Sequence, residues 1–453
     1  MKRYEEYKES GVQWLGKVPS HWNYSRIKFG LKSSFSGVWG DDEKGDDNDI
    51  VCYRVADFDY KNGGLSEEKI TIRNIDEKTF KEREILPNDI LIEKSGGGDV
   101  NPVGRAVIAN LAHRATCSNF IHCVRCNENA LNTRLLYYFF YSIYAQKVNL
   151  LFFNQTTGIQ NLKIPDYLGQ IIFLPPLSEQ QSIASFLDGK TKPIDAIISK
   201  REKQIELLEE MKSAIISRAV TKGLNPNAKM KDSGIEWIGE VPEEWTLSKI
   251  KYLIYGYKAG PFGSSLITSN LLSEGNILVY TPEHIANMTA NMSNNLYLPE
   301  IRKEEMSQFI VQSGDLIFPI VGSLGRAMFV SDEMPEGIIN QRLAKFRLNE
   351  NMIEKNFFMY YFTKCHIVKE YIDVNSRGAI IVNLTKDIVT SMDVPLPPLS
   401  EQRTIAAYLD TETCKIDARI ARRRKQIALL QEYKQALITD AVTGKIDVRG
   451  FNA

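Results

Sequence analysis

The chain has 453 residues, 43% hydrophobic and 25% charged, with 56 Lys and Arg balanced by 56 Asp and Glu. That length exceeds one ordinary core and suits two to four globular domains. No apolar run approaches the ~20 residues needed to span a bilayer. The segment from Met1 to Lys8 has no signal-peptide character. Six cysteines are too few for a disulfide framework, so a reducing cytoplasm is the expected compartment.

A net charge of zero disfavours a chain that coats nucleic acid, although it leaves room for local basic faces. The acidic run Asp41-Asp42-Glu43, with Asp46, Asp47 and Asp49, is expected to face away from any phosphate.

The chain is written twice. Ser10-Gly11-Val12-Gln13-Trp14-Leu15-Gly16-Lys17-Val18-Pro19, then Trp22, returns as Ser233-Gly234-Ile235-Glu236-Trp237-Ile238-Gly239-Glu240-Val241-Pro242, then Trp245, with an offset of 234 − 11 = 223. Leu174-Pro175-Pro176-Leu177-Ser178-Glu179-Gln180 returns as Leu396-Pro397-Pro398-Leu399-Ser400-Glu401-Gln402, with an offset of 400 − 178 = 222. Between these anchors the halves match in outline. Gly37 to Gly40 aligns with Gly260 to Gly263, Asp89 to Ile92 with Asp315 to Phe318, and Val103 to Ala106 with Leu324 to Ala327. One fold built twice is expected, with kept ends and diverged middles.

A proline pair cannot lie inside a helix, so a helix is predicted to begin after each one, with Ser178 and Ser400 as N-caps. A first short helix should reach about Asp188 or Asp410. In the first copy Gly189 and Pro193 mark a break, with Pro193 in the first turn of a new helix. The long segments then carry a heptad-like stripe: Ile194, Ile198, Arg201, Ile205, Leu208, Lys212, Ile215 and Ala219, repeated as Ile416, Ile420, Arg423, Ile427, Leu430, Lys434, Leu437 and Ala441. Alternating spacings of four and three make a coiled-coil seam. The apolar members of the two stripes, except the alanines, are the predicted helix-pairing residues, most simply antiparallel. Arg422-Arg423-Arg424-Lys425 is a solvated face or meets an acidic partner or phosphates. A helix over 194–221 would be about 42 Å long at ~1.5 Å per residue, against about 34–36 Å for one turn of duplex DNA. Such a rod suits a two-part site with a fixed gap.

These motifs together resemble the specificity subunits of type I restriction–modification systems. The resemblance covers nearly the whole chain and rests on the tryptophan-bearing opening motif, the Leu-Pro-Pro-Leu-x-Glu-Gln helix start and the helix ends Ala219-Val220-Thr221 and Ala441-Val442-Thr443. It implies an α+β fold, with two α/β target-recognition domains in pseudo-two-fold repeat separated by two long antiparallel helices in a coiled coil. The implied domains are residues 1–176 and 224–398 for recognition, with helical regions over 177–223 and 399–453. It further implies that each recognition domain reads half of a split double-stranded DNA target. The helices dock two adenine methyltransferase subunits, and nuclease–translocase subunits join in some systems. S-adenosylmethionine, ATP and Mg then belong to those partners, and this chain binds no cofactor.

The residues carry little chemistry of their own. An amino-methyltransferase needs a polar-Pro-Pro-aromatic loop, whereas both proline pairs here are flanked by leucine. Gly96-Gly97-Gly98 lacks the third spaced glycine of a dinucleotide loop, and no Walker-type phosphate loop occurs. Cys123-x-x-Cys126 has zinc spacing, with His113, Cys117 and His122 nearby. The segment alternates like a strand, however, which would turn the two thiols to opposite faces, so no metal site is assigned. No catalytic residue is assigned either.

Reading DNA calls for residue types that bond phosphates and base edges, carried on glycine-bearing loops that let the backbone approach closely. The candidates are Trp39, Arg54, Lys94, Arg105, Asn154, Gln155 and Thr157 in the first copy. In the second they are Lys258, Phe262, Ser323, Arg326, Asn375 and Arg377. Two other classes compete with a targeting subunit: a self-sufficient DNA methyltransferase or nuclease, and a coiled-coil scaffold with no DNA role.

Overall fold

A computed structural model describes residues 2–111, 113–156, 158–261, 266–322, 325–375 and 384–451. The chain forms two compact units. One comprises the residues up to Lys203 together with those from Arg423 onward; the other runs from Gln204 to Arg422. The helices that build their cores are α1 (Thr133–Ala145), α2 (Leu177–Lys222), α3 (Lys355–Lys364) and α4 (Leu399–Val442).

In the first unit, strands β1 (Leu31–Ser36), β2 (Ile90–Glu93), β3 (Ala106–Ile108) and β4 (Ile121–Cys126) form an antiparallel sheet of order β3-β2-β4-β1. Both faces of this sheet are covered. Ile90, Ile92 and Val124 join a core with α1, while the alternate residues Leu91, Ile121 and Cys123 join a second core, as the two-residue period of a strand dictates. The second unit repeats the arrangement. Strands β5 (Ile254–Ala259), β6 (Asp315–Pro319), β7 (Met328–Phe329) and β8 (Leu343–Leu348) pair in the order β5-β8-β6-β7.

The aligned Asp-Ile-Leu-Ile and Asp-Leu-Ile-Phe runs now have a physical basis. Asp89 is buried and takes Arg125 at 2.7 Å; Asp315 is buried and takes Lys345 at 3.0 Å and Arg347 at 2.9 Å. A buried carboxylate needs such a partner. Gly37 and Gly260 are likewise kept for cause: a Cβ on Gly37 would fall 2.0 Å from the Cys117 carbonyl oxygen, and one on Gly260 would fall 1.9 Å from that of Asn340.

Each unit is closed by the same clamp. In the opening motif, Gly11 and Gly16 adopt φ of +70° and +62°, and Gly234 and Gly239 adopt +71° and +67°, which L side chains rarely tolerate. Trp22 and Trp245 are buried, and their indole Nε1–H groups donate to Glu179 and Glu401 of the helix-start motifs, each at 3.1 Å. Beside them, Gln180 donates to the carbonyls of Pro175 (3.0 Å) and Ala130 (3.2 Å) and accepts from the backbone N–H of Asn132 at 2.9 Å. Gln402 repeats all three bonds, with Pro397 (2.8 Å), Met352 (3.0 Å) and Glu354 (2.7 Å). Asn132 and Glu354 in turn cap α1 and α3 through their side chains. The two ends of each repeat are therefore kept because they bond to each other.

Two expectations about the helices are corrected. Both begin at the leucine before Ser178 or Ser400, so those serines sit in the first turn, and the Pro176 and Pro398 carbonyls accept the first backbone bonds. Nor does the first helix break: α2 runs unbroken from Leu177 to Lys222 with Pro193 inside it. Pro193 removes one backbone donor and crowds the Gly189 carbonyl, and the helix is held across it by Ile183, Phe186 and Leu187 on one side and Ile194 and Ile198 on the other, all buried. A Cβ at Gly189 would stand 3.9 Å from the Phe451 ring, which packs edge-on against Phe186 at 4.9 Å.

Each unit's core takes in the start of one long helix and the end of the other. Ile183, Phe186 and Leu187 of α2 share the first core with Leu437, Ile438 and Ala441 of α4. Ile216, Ala219 and Val220 share the second with Ile405, Ala406 and Leu409. The helices run antiparallel, and the lysines that interrupt the stripe are paired: Lys434 with Asp195 and Lys212 with Asp417, both at 2.7 Å. The two pairs are related by the same 222-residue offset (417 − 195 = 222; 434 − 212 = 222). Of the pairing residues named from the sequence, Leu208, Ile416 and Ile420 form a buried cluster lined by Ile205 and Ile215. Ile194, Ile198 and Leu437 are buried, and Ile427 and Leu430 are half-buried. Lys434→Glu should lower the unfolding midpoint by setting like charges together, a cost of about 1 kcal/mol. Adding Asp195→Lys should recover most of it. Thermal unfolding of both variants checks this, and the absence of recovery would deny the pair its role.

Candidate nucleic-acid interface

In the first unit two of the candidate residues, Trp39 and Arg54, share one groove. A groove of about 520 Å³ is lined by Trp39, Arg54, Glu93, Ser95, Gly96 and Phe120, among others. Trp39 and Phe120 are 38% and 44% exposed. The Arg73 guanidinium stacks on the Trp39 ring at 4.6 Å, which fixes the indole. Arg54 is held by Asp57 at 3.0 Å, and its side chain still reaches the groove. The glycine-bearing segment Ser95–Gly96 pairs with Ile159–Leu162, which pairs with Phe153–Thr156. That small sheet carries the exposed Asn154 and Gln155 on its outer strand, one strand removed from Ser95–Gly96. Its inner side is fixed by Gln160, which is buried and accepts from the Val103 N–H at 3.2 Å.

Other candidates turn inward. Lys94 is half-buried and donates to Ser36 Oγ at 3.3 Å, and burial lowers its pKa. The Arg105 guanidinium lies over Tyr60 at 4.4 Å and over Tyr144 at 5.4 Å, and donates to the Tyr144 hydroxyl at 2.9 Å. Both are better placed to hold the groove's walls than to reach a duplex.

In the second unit, Lys258 bonds Gln308 and lies over the Phe309 ring at 5.2 Å. Arg326 is exposed, and Asn375 ends the helix His366–Asn375 with its amide on the Tyr371 carbonyl at 2.8 Å. Thr157, Phe262, Ser323 and Arg377 lie outside the described residues.

Sequence reasoning passed over Glu93. It is 6% exposed, and its Oε2 accepts from the Tyr60 hydroxyl at 3.2 Å. Its other oxygen, Oε1, accepts no hydrogen bond among the described residues and lies on the groove side, 3.9 Å from where a Gly96 Cβ would stand. Burial raises its pKa above the usual carboxylate range, against the pull of Arg105. The meaning of Glu93 comes from its burial beside the groove, and the local sequence carries no sign of that.

The cysteine–histidine segment is core. Cys123 and Cys126 lie on one strand and enter different clusters. Burial pushes the Cys52 and Cys126 thiols up to about 12. His122 is drawn down to about 4 by burial, then by Lys94 and Arg83, and is bonded to Ser34 at 2.6 Å and Ser36 at 3.2 Å. Among the described residues no three His, Cys, Asp or Glu side chains are grouped to hold a metal ion, and no helix is long and apolar enough to cross a membrane.

Two copies of one α+β fold, each clamped to the start of a long helix and closed by the end of the other, define a duplicated two-unit chain of the specificity-subunit class. The family model described as "Type I restriction modification DNA specificity domain" matches residues 41–207 and 242–427, and the chain belongs to that family. It is 24% identical to the type I restriction enzyme MjaVIII specificity subunit of Methanocaldococcus jannaschii, over 98% of each chain. It is 25% identical to the putative type I restriction enzyme MjaX specificity subunit of the same organism, again over 98% of each. A chain in a solved structure concerning complex assembly and conformational transition of the type I R-M system has the same fold, with a TM-score of 0.68 and 16% identity over 95% of this chain and 99% of that one. Specificity subunits are targeting chains, and catalysis is not their task.

Proposed function

We propose that this chain reads a two-part site on double-stranded DNA, one half-site per unit, within a type I restriction–modification complex of the cytoplasm. The observation that carries the reading is the duplication: the same sheet order, the same clamp and the same family match occur twice. A protein with two related reading units is matched to a target with two separate halves. In the first unit, Trp39, Arg54, Asn154 and Gln155 are the side chains best placed to face the duplex. Thr157, Phe262, Ser323, Arg326, Asn375, Arg377 and Lys258 stand as candidates for the rest.

On this reading the helices dock two adenine methyltransferase subunits, with restriction–translocase subunits in a fuller complex. Repeated exposed apolar pairs support two copies of one partner. Leu207 and Met211 are 52% and 40% exposed; Leu429 and Tyr433, 222 residues on in each case (429 − 207 and 433 − 211), are 54% and 51% exposed. Residues four apart share one helix face. S-adenosylmethionine, and ATP with Mg for restriction, would be bound by those partners.

The test is DNA binding by the chain with its methyltransferase partners across a salt series. Affinity should fall linearly on a log–log plot as salt rises, because phosphate contacts release counterions. Binding that is absent at low salt would favour the scaffold reading.

A further inference from the structure

We infer that the groove of the first unit receives one nucleobase bearing an exocyclic amine, extruded from the duplex, with Phe120 and Trp39 flanking the ring and Glu93 accepting the amine. The inference rests on the DNA-reading function proposed above and adds what that groove binds.

The chemistry of the lining selects the ligand. A phosphate is repelled by a carboxylate at the floor. A purely apolar ligand would leave the Glu93 oxygen without a partner, at the cost that any buried, half-bonded carboxylate incurs. A flat ring with an N–H donor at its edge satisfies both the exposed aromatic rim and the buried acceptor. Stacking on aromatic side chains contributes about 1–3 kcal/mol per base, and a hydrogen bond to a charged acceptor is about twice as strong as a neutral one. Together these offset the few kcal/mol needed to unstack a base. Burial favours an extruded base over an in-helix contact: Glu93 is 6% exposed, and a base that leaves the stack can enter the groove to meet it.

The supporting shell is already in place. Arg73 holds Trp39, Tyr60 holds the inner oxygen of Glu93, and Gly96, with φ of +117°, carries the backbone past the carboxylate without a side chain to fill the space. Among the described residues of the second unit the acid and the rim phenylalanine have no counterparts. Strand alignment places Pro319 where Glu93 stands and Arg342 where Phe120 stands, so extrusion of this kind belongs to the first half-site alone.

The experiment uses the full chain with its methyltransferase partners and duplexes carrying 2-aminopurine at successive positions of the recognised site. One position in the first half-site should show a fluorescence rise that depends on the groove. Phe120→Ala, at the exposed rim, should cut the extruded population about fivefold or more, and Phe120→Trp should retain it. Glu93→Gln should weaken it as well. A rise that survives both Phe120→Ala and Glu93→Gln overturns the inference, as does no rise at any position while the unmodified duplex is bound. Failure to bind the unmodified duplex at all would instead remove the DNA-reading function on which the inference rests.

Discussion

Exchanging residues 30–170 for the same segment of another specificity subunit should replace one half of the recognised DNA site and leave the other half as it was. The fold supports this exchange at both junctions. Asn23–Arg26 pairs antiparallel with Ile171–Leu174, and Arg26 stands directly opposite Ile171. The two ends of the exchanged segment therefore meet on adjacent strands, and the segment is a closed module. The clamp lies outside it: Trp22, Glu179 and Gln180 remain native, and the bonds Gln180 makes to positions 130 and 132 are to backbone atoms. The second unit has the same closure, with Lys249 opposite Asp393. Mapping of methylated positions by sequencing reads the outcome. A change in both halves, or in neither, would contradict one unit per half-site.

Trp22→Ala and Trp245→Ala should each destabilise their unit by about 3–5 kcal/mol, the cost of truncating a buried aromatic to a cavity. Each indole fills the junction between the opening motif and the helix start and has 1% exposure. Truncation also removes a donor to the helix glutamate. In the first unit Glu179 keeps the Tyr4 hydroxyl at 2.6 Å and His21 at 2.8 Å. In the second unit, among the described residues, Glu401 accepts a side-chain hydrogen bond from Trp245 alone, and being half-buried it can be reached by water. Cavity formation, more than the lost bond, then sets the loss in both. Thermal unfolding should show a lowered midpoint for each variant, and a midpoint within a degree of the parent would deny the clamp its structural weight.

The duplication, the two long helices and the stripe on each were legible because they are local or periodic signals. A helix writes its period into consecutive residues, and the lysines at 212 and 434 stood out at matching places. Their partners, Asp195 and Asp417, did not, because an antiparallel contact joins residues more than two hundred positions apart. The same distance hides the clamp: Trp22 and Glu179 each belong to a repeated motif, yet nothing local says that one bonds the other. The sheets were the hardest part to read. Strands such as Ala106–Ile108 are only three residues long, and their order depends on pairings across the whole unit. Pro193 misled for a definite reason. Its local rule disfavours a helix interior, and burial of residues on both sides of it, Ile183, Phe186 and Leu187 before it and Ile194 after it, outweighs that rule. Of the candidate interface, the polar and aromatic loop residues were legible by type. Lys94 and Arg105 proved to be turned inward, and Glu93 acquires its meaning only from its depth beneath the groove.

The most direct test of the central claim is a genome-wide map of methylated adenines in the host, with and without this gene. The account predicts a two-part motif, two short half-sites with a fixed unread gap, that is methylated with the gene and unmethylated without it. A map unchanged by loss of the gene, or a single undivided motif, would contradict it.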